Sequence, residues 1–509
     1  MERTKSYWLE STSTTNYPVL DKDISVDVAV IGGGLAGITT AWLLKQEGLG
    51  VVVLEADRIC QGTTGHSTAK ISSQHDLIYA WLDKEFGRER AKQYADANET
   101  AVKTMADIVK SQKIDCDFQW QPAYVYTEQD KYVEEIQKEA KIAGALGIGA
   151  EYIQDPGLPF AVKGALRFDN QAQFHPRKYV LALAQAIPGE GCHIYENTKV
   201  VGIEEGKINT ISLDSGKKIR ADKVVLATHF PIHDGLGFYF ARMYSERSYI
   251  LACRVEGDLP EGMFITAESP GRSLRTQTSK DEKLLLVGGE HHKTGAGQEG
   301  PHYQTLSDFA RANFSVTDIP YRWSAQDYTT LDKIPYIGNV RKGINNMFVA
   351  TGFRKWGIST STVAGMVIRD LILWGSSPWQ EVFSPQRGLS LKSAGKLISI
   401  NADVAKELVL GKLAGTQEGD IPPGEAKVIS GEGTKIGAYR DDKGELHAVD
   451  ITCTHFGCEL KWNSAEKTWD CPCHGSRFSI EGDIVDGPAL KPLRSFPGEG
   501  DHDIDPDII

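Results

Sequence analysis

The sequence predicts an α/β dinucleotide-binding region followed, near the C-terminus, by a small all-β domain. Three observations predict it. Residues 27–55 read strand, glycine-rich turn, helix, strand. A second buried-strand run, "DKVVLAT", and a closing strand, turn and helix, "NMFVATGFRKWGISTSTVAGMVIRDLILW", come much later. From residue 425 the chain turns to short strands and turns, and this stretch holds Cys453, Cys458, Cys471 and Cys473, half of its eight cysteines.

A chain of 509 residues exceeds one compact core, so two or three domains are expected. Lys plus Arg number 56 against 68 Asp plus Glu, a net charge of -12, which argues against nucleic acid and anionic membrane surfaces as partners. The N-terminal "MERTKSYWLESTSTTNYP" has no apolar core and is read as no signal peptide. "VDVAVIGGGLAGITTAWLL" is broken by glycines and "ISTSTVAGMVIRDLILW" by Arg369 and Asp370, so neither reads as a membrane span. A cytoplasmic location is expected. Cys60, Cys116, Cys192 and Cys253 are scattered and read as inert thiols of a reducing compartment.

The elements follow in order. "DVAVI" is a short apolar run fitting a buried parallel strand, and "VVVLEA" is its partner after the helical "ITTAWLLKQEG". Residues 82–113 carry apolar positions at three- and four-residue steps and predict a helix, as do residues 130–147. Pro176 opens a helix at the first-turn position that tolerates proline. Residues 192–228 change to strands with "EEGK" and "DSGK" turns. Residues 239–330 read as alternating strands and loops. Residues 376–424 read as a linker with one amphipathic helix, and the end is an acidic, solvated tail, "GDHDIDPDII".

Gly32, Gly34 and Gly37 form G-x-G-x-x-G between strand and helix, with Glu55 closing the next strand. The first glycine permits the tight turn, the second lets backbone approach a pyrophosphate, and the third allows close helix–sheet packing. The helix N-terminus stabilises phosphate charge, and the acid accepts from a ribose hydroxyl. These residues do not separate FAD from NAD.

The following segments do, by resemblance. "EADRICQGTTGHSTAKIS", "LRFDNQAQFHP", "NTKVVGIEEGKINTISLDSGKKIRADKVVLAT" and "DKIPYIGNV" with the closing strand and helix resemble, in order, the D-amino-acid oxidase superfamily, which includes glycine oxidase, sarcosine oxidase and γ-glutamylputrescine oxidase. The resemblance covers residues 5–375. It implies FAD, an inserted α+β substrate domain, and hydride transfer from a carbon bearing an amine to give an imine. It carries Thr63, Thr64, His66, Val200, Gly352 and Gly357 over as cofactor-contacting positions. "GTTGHSTA" is similar to the turn of dimethylglycine and sarcosine dehydrogenases in which a histidine is covalently bound to flavin. His66 is therefore expected to contact or bind the isoalloxazine ring. Many family members have a Gly/His-rich turn where this chain has Phe353, Arg354, Lys355 and Trp356. Arg354 or Lys355 is expected to place positive charge at the flavin's pyrimidine end, with exposed loop charges as the plainer alternative. His75 reads as a hydrogen-bonded core histidine. Arg242, Arg247 and Arg275 are unranked candidates for a substrate carboxylate.

Cys453-x-His455 and Cys471-x-x-His474 supply two thiolates and two imidazoles. That set fits a structural zinc site or a [2Fe–2S] cluster with two cysteines on one iron and two histidines on the other. "CTHFGC", "CPCHGS" and "VDGPALKPL" resemble the two ligand boxes and proline loop of Rieske proteins of the cytochrome bc complexes, over residues 425–500. The resemblance implies the cluster, a disulfide between Cys458 and Cys473, and a hydrogen bond from Ser476 to a cluster sulfide. Phe478 stands where high-potential relatives carry tyrosine. The potential is therefore expected below the top of the roughly -150 to +300 mV range.

The full prediction is an FAD-binding Rossmann-type α/β domain with an inserted α+β substrate domain (1–375), a linker with one helix (376–424) and an all-β Rieske domain (425–509). The fusion suggests an amine or amino-acid dehydrogenase that passes electrons singly to a protein or quinone acceptor. Two alternatives stay open: an oxygen-using oxidase with a non-relay Rieske module, and a reductase with flow from cluster to flavin.

Overall fold

The structure is a computed structural model that describes residues 4–233, 237–279, 283–296, 300–388, 391–413, 420–431 and 434–496. The acidic tail lies outside the described residues. The chain divides into two compact units. The first comprises Met1–Gly237, Ser248–His291 and Tyr303–Ser390; the second comprises Phe238–Arg247, His292–His302 and Leu391–Ile509.

The first unit is built on a mixed sheet of eight strands among the described residues. Strand β1 (Ile24–Ile31) leads through the glycine turn into helix α1 (Leu35–Gln46) and strand β2 (Val51–Leu54). β1 lies between β2 and β3 (Lys218–Leu226), parallel to both, in the register Ile31↔Leu54 and Ile31↔Leu226. β3 pairs in parallel with β4 (Met347–Thr351). All four residues of β2 are buried. Strands covered on both faces read as unbroken apolar runs for this reason, and each buried valine or leucine contributes about 1.5–3 kcal/mol. Helix α2 (Gly357–Trp374) closes the layer against α1. Contact is close at Gly365, where a Cβ would stand 3.0 Å from Leu43 and 3.3 Å from Thr39.

A second sheet, nine strands among the described residues, includes Gln119–Thr127, Gly164–Gln173, Met263–Thr266 and Arg272–Thr278. Its helical cover departs from expectation in two places. The predicted helix over 82–113 is two helices, Tyr79–Phe86 and Arg88–Ser111. Gly87, at φ 84°, breaks them, a conformation glycine adopts without a Cβ penalty. Residues 239–330, expected as strands and loops, also contain a helix, His302–Asn313. It buries His302, Leu306 and Ala310, one face at four-residue steps.

In the second unit, among the described residues, two four-stranded sheets pack together. One contains Thr434–Arg440 and Leu446–Asp450, the other Lys461–Asn463 and Thr468–Asp470. Gly437 lets them approach, since a Cβ there would lie 2.4 Å from Ile451 and 2.5 Å from the Trp469 ring. The linker helix runs Leu391–Leu413. No helix among the described residues is long and apolar enough to cross a membrane.

Candidate functional site: two cofactor seats

The first seat is made of backbone. Gly32 adopts φ 109°, and a Cβ on it would stand 2.4 Å from the Ala227 carbonyl oxygen at the end of β3. A Cβ on Gly37 would stand 1.9 Å from the Gly32 oxygen. Gly34 caps α1, and the Leu35 N–H at its start donates to Thr64 Oγ1 at 3.0 Å. The Glu55 carboxylate accepts the Gly33 N–H at 2.6 Å and the Asp57 N–H at 3.0 Å. Burial pushes its pKa up, against those backbone hydrogen bonds. The turn, the helix N-terminus, Glu55 and Thr64 thus converge at the C-terminal edge of the parallel strands, where open α/β sheets bind ligands. The cradle fits a dinucleotide: the glycines allow a tight turn and close strand–helix packing ahead of a helix N-terminus, and an acid stands at the neighbouring strand end.

A network surrounds Thr63. Its Oγ1 donates to the Gln326 carbonyl at 3.3 Å and lies 3.4 Å from His229 Nδ1. His229 Nε2 pairs with Asp327 at 3.0 Å, and Asp327 also accepts the backbone N–H of Tyr328 at 2.7 Å and that of Lys355. Asp327 thereby pins the turn of Arg354 and Lys355, whose φ values of 51° and 67° are uncommon outside glycine. Arg354 Nη2 donates to the His75 carbonyl at 2.7 Å and pairs with Asp76 at 3.2 Å. Sequence reasoning missed Asp327 and His229. The available signal was position: His229 follows directly on the buried strand "DKVVLAT".

His66 closes a 3-10 turn, Thr63–His66, and its Nδ1 lies 2.9 Å from the Gly62 carbonyl oxygen. Its own carbonyl accepts Trp323 Nε1–H at 2.9 Å. Gly352 adopts φ 74° after β4, and Gly357 begins α2. Val200 is buried in the strand Val200–Glu204, paired with Leu213. His75 is a core histidine, bonded to Tyr94 Oη at 2.6 Å and the Ser72 carbonyl at 2.8 Å, with its pKa lowered to about 3 by burial and then by Arg354. Cys116 and Cys253 are buried thiols, and burial pushes each up to about 12. Arg275 is buried, donating to the Ala69 carbonyl at 2.6 Å, whereas Arg242 and Arg247 belong to the second unit.

The second seat is made of side chains on two loops of the same design. The Cys453 N–H donates to the Cys458 carbonyl and the Gly457 N–H to the Cys453 carbonyl, both at 2.8 Å. Likewise the Cys471 N–H donates to the Ser476 carbonyl at 2.8 Å and the Gly475 N–H to the Cys471 carbonyl at 3.1 Å. Gly457 and Gly475 close the turns at φ 74° and 81°. Cys458 and Cys473 form a disulfide joining the loops. The proline loop is tied to both: the Ala489 N–H donates to Ser476 Oγ at 3.1 Å, and Thr454 Oγ1 to the Lys491 carbonyl at 2.6 Å.

These loops carry Cys453, His455, Cys471 and His474. The neighbouring Cys471 thiol, with the His455 and Phe456 N–H groups and the Ser476 hydroxyl, lowers Cys453 toward its thiolate against burial. The imidazole rings lie 5.1 Å apart, and burial lowers both to about 4, so both are neutral at pH 7, the form that binds metal. His474 Nδ1 is buried with no hydrogen-bond partner among the described residues, which fits a metal-facing atom. The cluster of Cys458, Cys471 and Cys473 sulfurs is no alternative site, because two of the three are bound in the disulfide. A donor set of two soft thiols and two imidazoles fits a Rieske cluster.

Comparison with known proteins agrees with both seats. The family described as FAD dependent oxidoreductase matches residues 27–371, and that of the Rieske [2Fe-2S] domain matches residues 413–497. The chain belongs to the FAD dependent oxidoreductase family and carries a C-terminal Rieske domain, so FAD and a [2Fe–2S] cluster are its cofactors. It is 44% identical to YhfW of Bacillus subtilis (strain 168), named as a Rieske 2Fe-2S iron-sulfur protein, over 97% of this chain and 98% of that one. It is 23% identical to gamma-glutamylputrescine oxidoreductase of Escherichia coli (strain K12), over 73% and 89%. Its fold is similar to that of glycine oxidase from Geobacillus kaustophilus, with a TM-score of 0.59 and 17% identity, covering 72% of this chain and 100% of that one.

Proposed function

We propose that this protein oxidises a C–N bond of an amine or amino acid to an imine and releases the electrons singly to an external protein or quinone acceptor. The observation that carries the reading is the pairing of two cysteines and two histidines in the same chain as an FAD-dependent oxidoreductase fold. The names of the Escherichia coli relative and of the Geobacillus structure support an amine or amino-acid substrate. The substrate loses a hydride from carbon and a proton from nitrogen. Two one-electron acceptors, or one quinone with two protons, close the balance. FAD supplies the two-electron chemistry and the [2Fe–2S] cluster the one-electron chemistry.

The chain's own residues take these roles. Gly32, Gly34 and Gly37 seat the pyrophosphate and Glu55 the ribose. Thr63, Thr64, Val200, Gly352 and Gly357 complete the flavin seat, and His66 contacts or covalently holds the ring. Arg354 or Lys355, on the turn pinned by Asp327, presents positive charge to the flavin's pyrimidine end. Cys453 and Cys471 hold one iron, and His455 and His474 the other. The oxidoreductase region is 1–375, the linker 376–424 and the cluster domain 425–509, in a cytoplasmic protein.

The test is anaerobic. A panel of primary, secondary and N-methyl amines and amino acids is mixed with the protein while flavin absorbance and the reduced-cluster EPR signal are followed together. Flavin bleaching followed by the cluster signal is the expected result. Bleaching with the cluster left oxidised, together with substrate-dependent peroxide in air, would instead identify an oxidase.

A further inference from the structure

Residues 238–247 and 292–302 fall inside the oxidoreductase match, yet they cluster with the Rieske domain in the second unit. Gly295 and Phe240 reach the Cys471 loop from these two segments. Gly295, at φ 76°, leaves no room for a side chain: a Cβ would stand 2.4 Å from the nitrogen and Cα of Pro472, between Cys471 and Cys473. The Phe240 ring meets the His474 imidazole edge-on, with centroids 5.8 Å apart. Arg247, 1% exposed, sets Nη1 4.0 Å from Glu466, and its charge acts on Asp470, the residue before Cys471. The Thr294 N–H donates to the Ser245 carbonyl at 3.1 Å, joining the two segments. Asn401 Nδ2 donates to the Ala241 carbonyl at 3.1 Å, joining them to the linker helix.

The two histidines differ accordingly. His474 is 5% exposed. His455 is only partly buried, and its ring lies 4.1 Å from that of Phe456, which is 53% exposed.

We propose that segments 238–247 and 292–296 form a collar that seats the Cys471–His474 loop and covers His474 through Phe240, leaving His455 as the ligand reached from solvent. The proposal rests on the reading of both histidines as cluster ligands. Phe240 is a positioning residue in this scheme. It sets which edge of the metal site an outside reagent or redox partner meets, and Gly295 sets how closely the loop is held.

The test uses the purified full-length protein, with cluster content measured by EPR after dithionite reduction. Diethyl pyrocarbonate modifies accessible imidazole nitrogens, and peptide mapping gives the rate at each histidine. In the unaltered protein His455 should react about ten-fold or more faster than His474, as expected of a group protected by local structure. Phe240→Ala should bring the two rates within about three-fold at unchanged EPR intensity, while Phe240→Leu should keep His474 protected. Equal rates in the unaltered protein would overturn the collar without any variant, and so would protection of His474 persisting in Phe240→Ala. Absence of a Rieske-type EPR signal would sink the ligand reading, and the labelling contrast would still decide the collar.

Discussion

The two cofactor seats of this chain are built on opposite principles. The flavin seat depends on missing side chains: Gly32 and Gly37 stand where a Cβ would strike main-chain oxygens. The cluster seat depends on side chains brought together from two matching loops and fastened by a disulfide. The first is centred on one strand-to-helix turn, with Glu55 and Thr64 hydrogen-bonded to its backbone. The second joins residues of separate loops and is enclosed by others that are more distant still. A backbone seat tolerates no added atom, and a side-chain seat tolerates no lost ligand.

The comparison is broken most sharply by Cys471→Ser. Loss of one thiolate should abolish the cluster EPR signal and leave bound flavin at one per chain, measured by absorbance after purification. Gly37→Ala is the reverse experiment. It should cut FAD affinity about a thousand-fold, on the order of 4 kcal/mol, with cluster EPR unchanged in apo-flavoprotein. Loss of both cofactors from either variant would show that the seats are not independent.

A pH experiment sharpens the contrast within the first unit. Lys70 is buried and donates to the Phe264 carbonyl and Ser273 Oγ, both at 2.7 Å. Burial, and then Arg275, lowers its pKa from 10.5 to about 7. The folded state then binds fewer protons than the unfolded state between these values, so stability rises with pH across that window and is flat below it. The gain between pH 7 and pH 9 should be about 2–3 kcal/mol, read from the denaturant midpoint of flavin release, and Lys70→Met should remove the slope. A slope that survives the substitution would assign it to other groups.

Smaller effects probe each seat's fine structure. Glu55→Gln keeps the shape and loses the charge. FAD affinity should fall about ten-fold, near 1.4 kcal/mol, by titration of the apoprotein. Phe478→Tyr adds a hydroxyl at a buried position in the cluster domain. One hydrogen bond to a ligand sulfur should raise the midpoint potential by roughly 20–60 mV, and an unchanged or lower value would mean the hydroxyl finds another partner.

What could be read in the sequence follows the same division. The glycine turn, both ligand boxes and the buried strands were legible because each is set by neighbours within a few residues. The helix His302–Asn313 was not, since its one buried face of His302, Leu306 and Ala310 is short and sits among strands of a different period. Asp327 was invisible for a different reason: a lone acid in a strand acquires meaning only when His229 and Lys355 reach it. Phe240 and Gly295 are the extreme case. Neither residue type signals metal chemistry, and only the folded chain places them against His474 and Pro472.

The assignment of 238–247 and 292–302 to the second unit also bears on how this protein is made. During translation those segments leave the ribosome well before the cysteine loops they accompany. Domains commonly fold as they emerge, the N-terminal one first, but here the earlier part of the chain must hold two of its own segments for a later arrival. A C-terminal fragment expressed from residue 391 would contain all four proposed ligands and lack the Gly295 and Phe240 contacts. Gene boundaries drawn at the linker would therefore cut through a folded body.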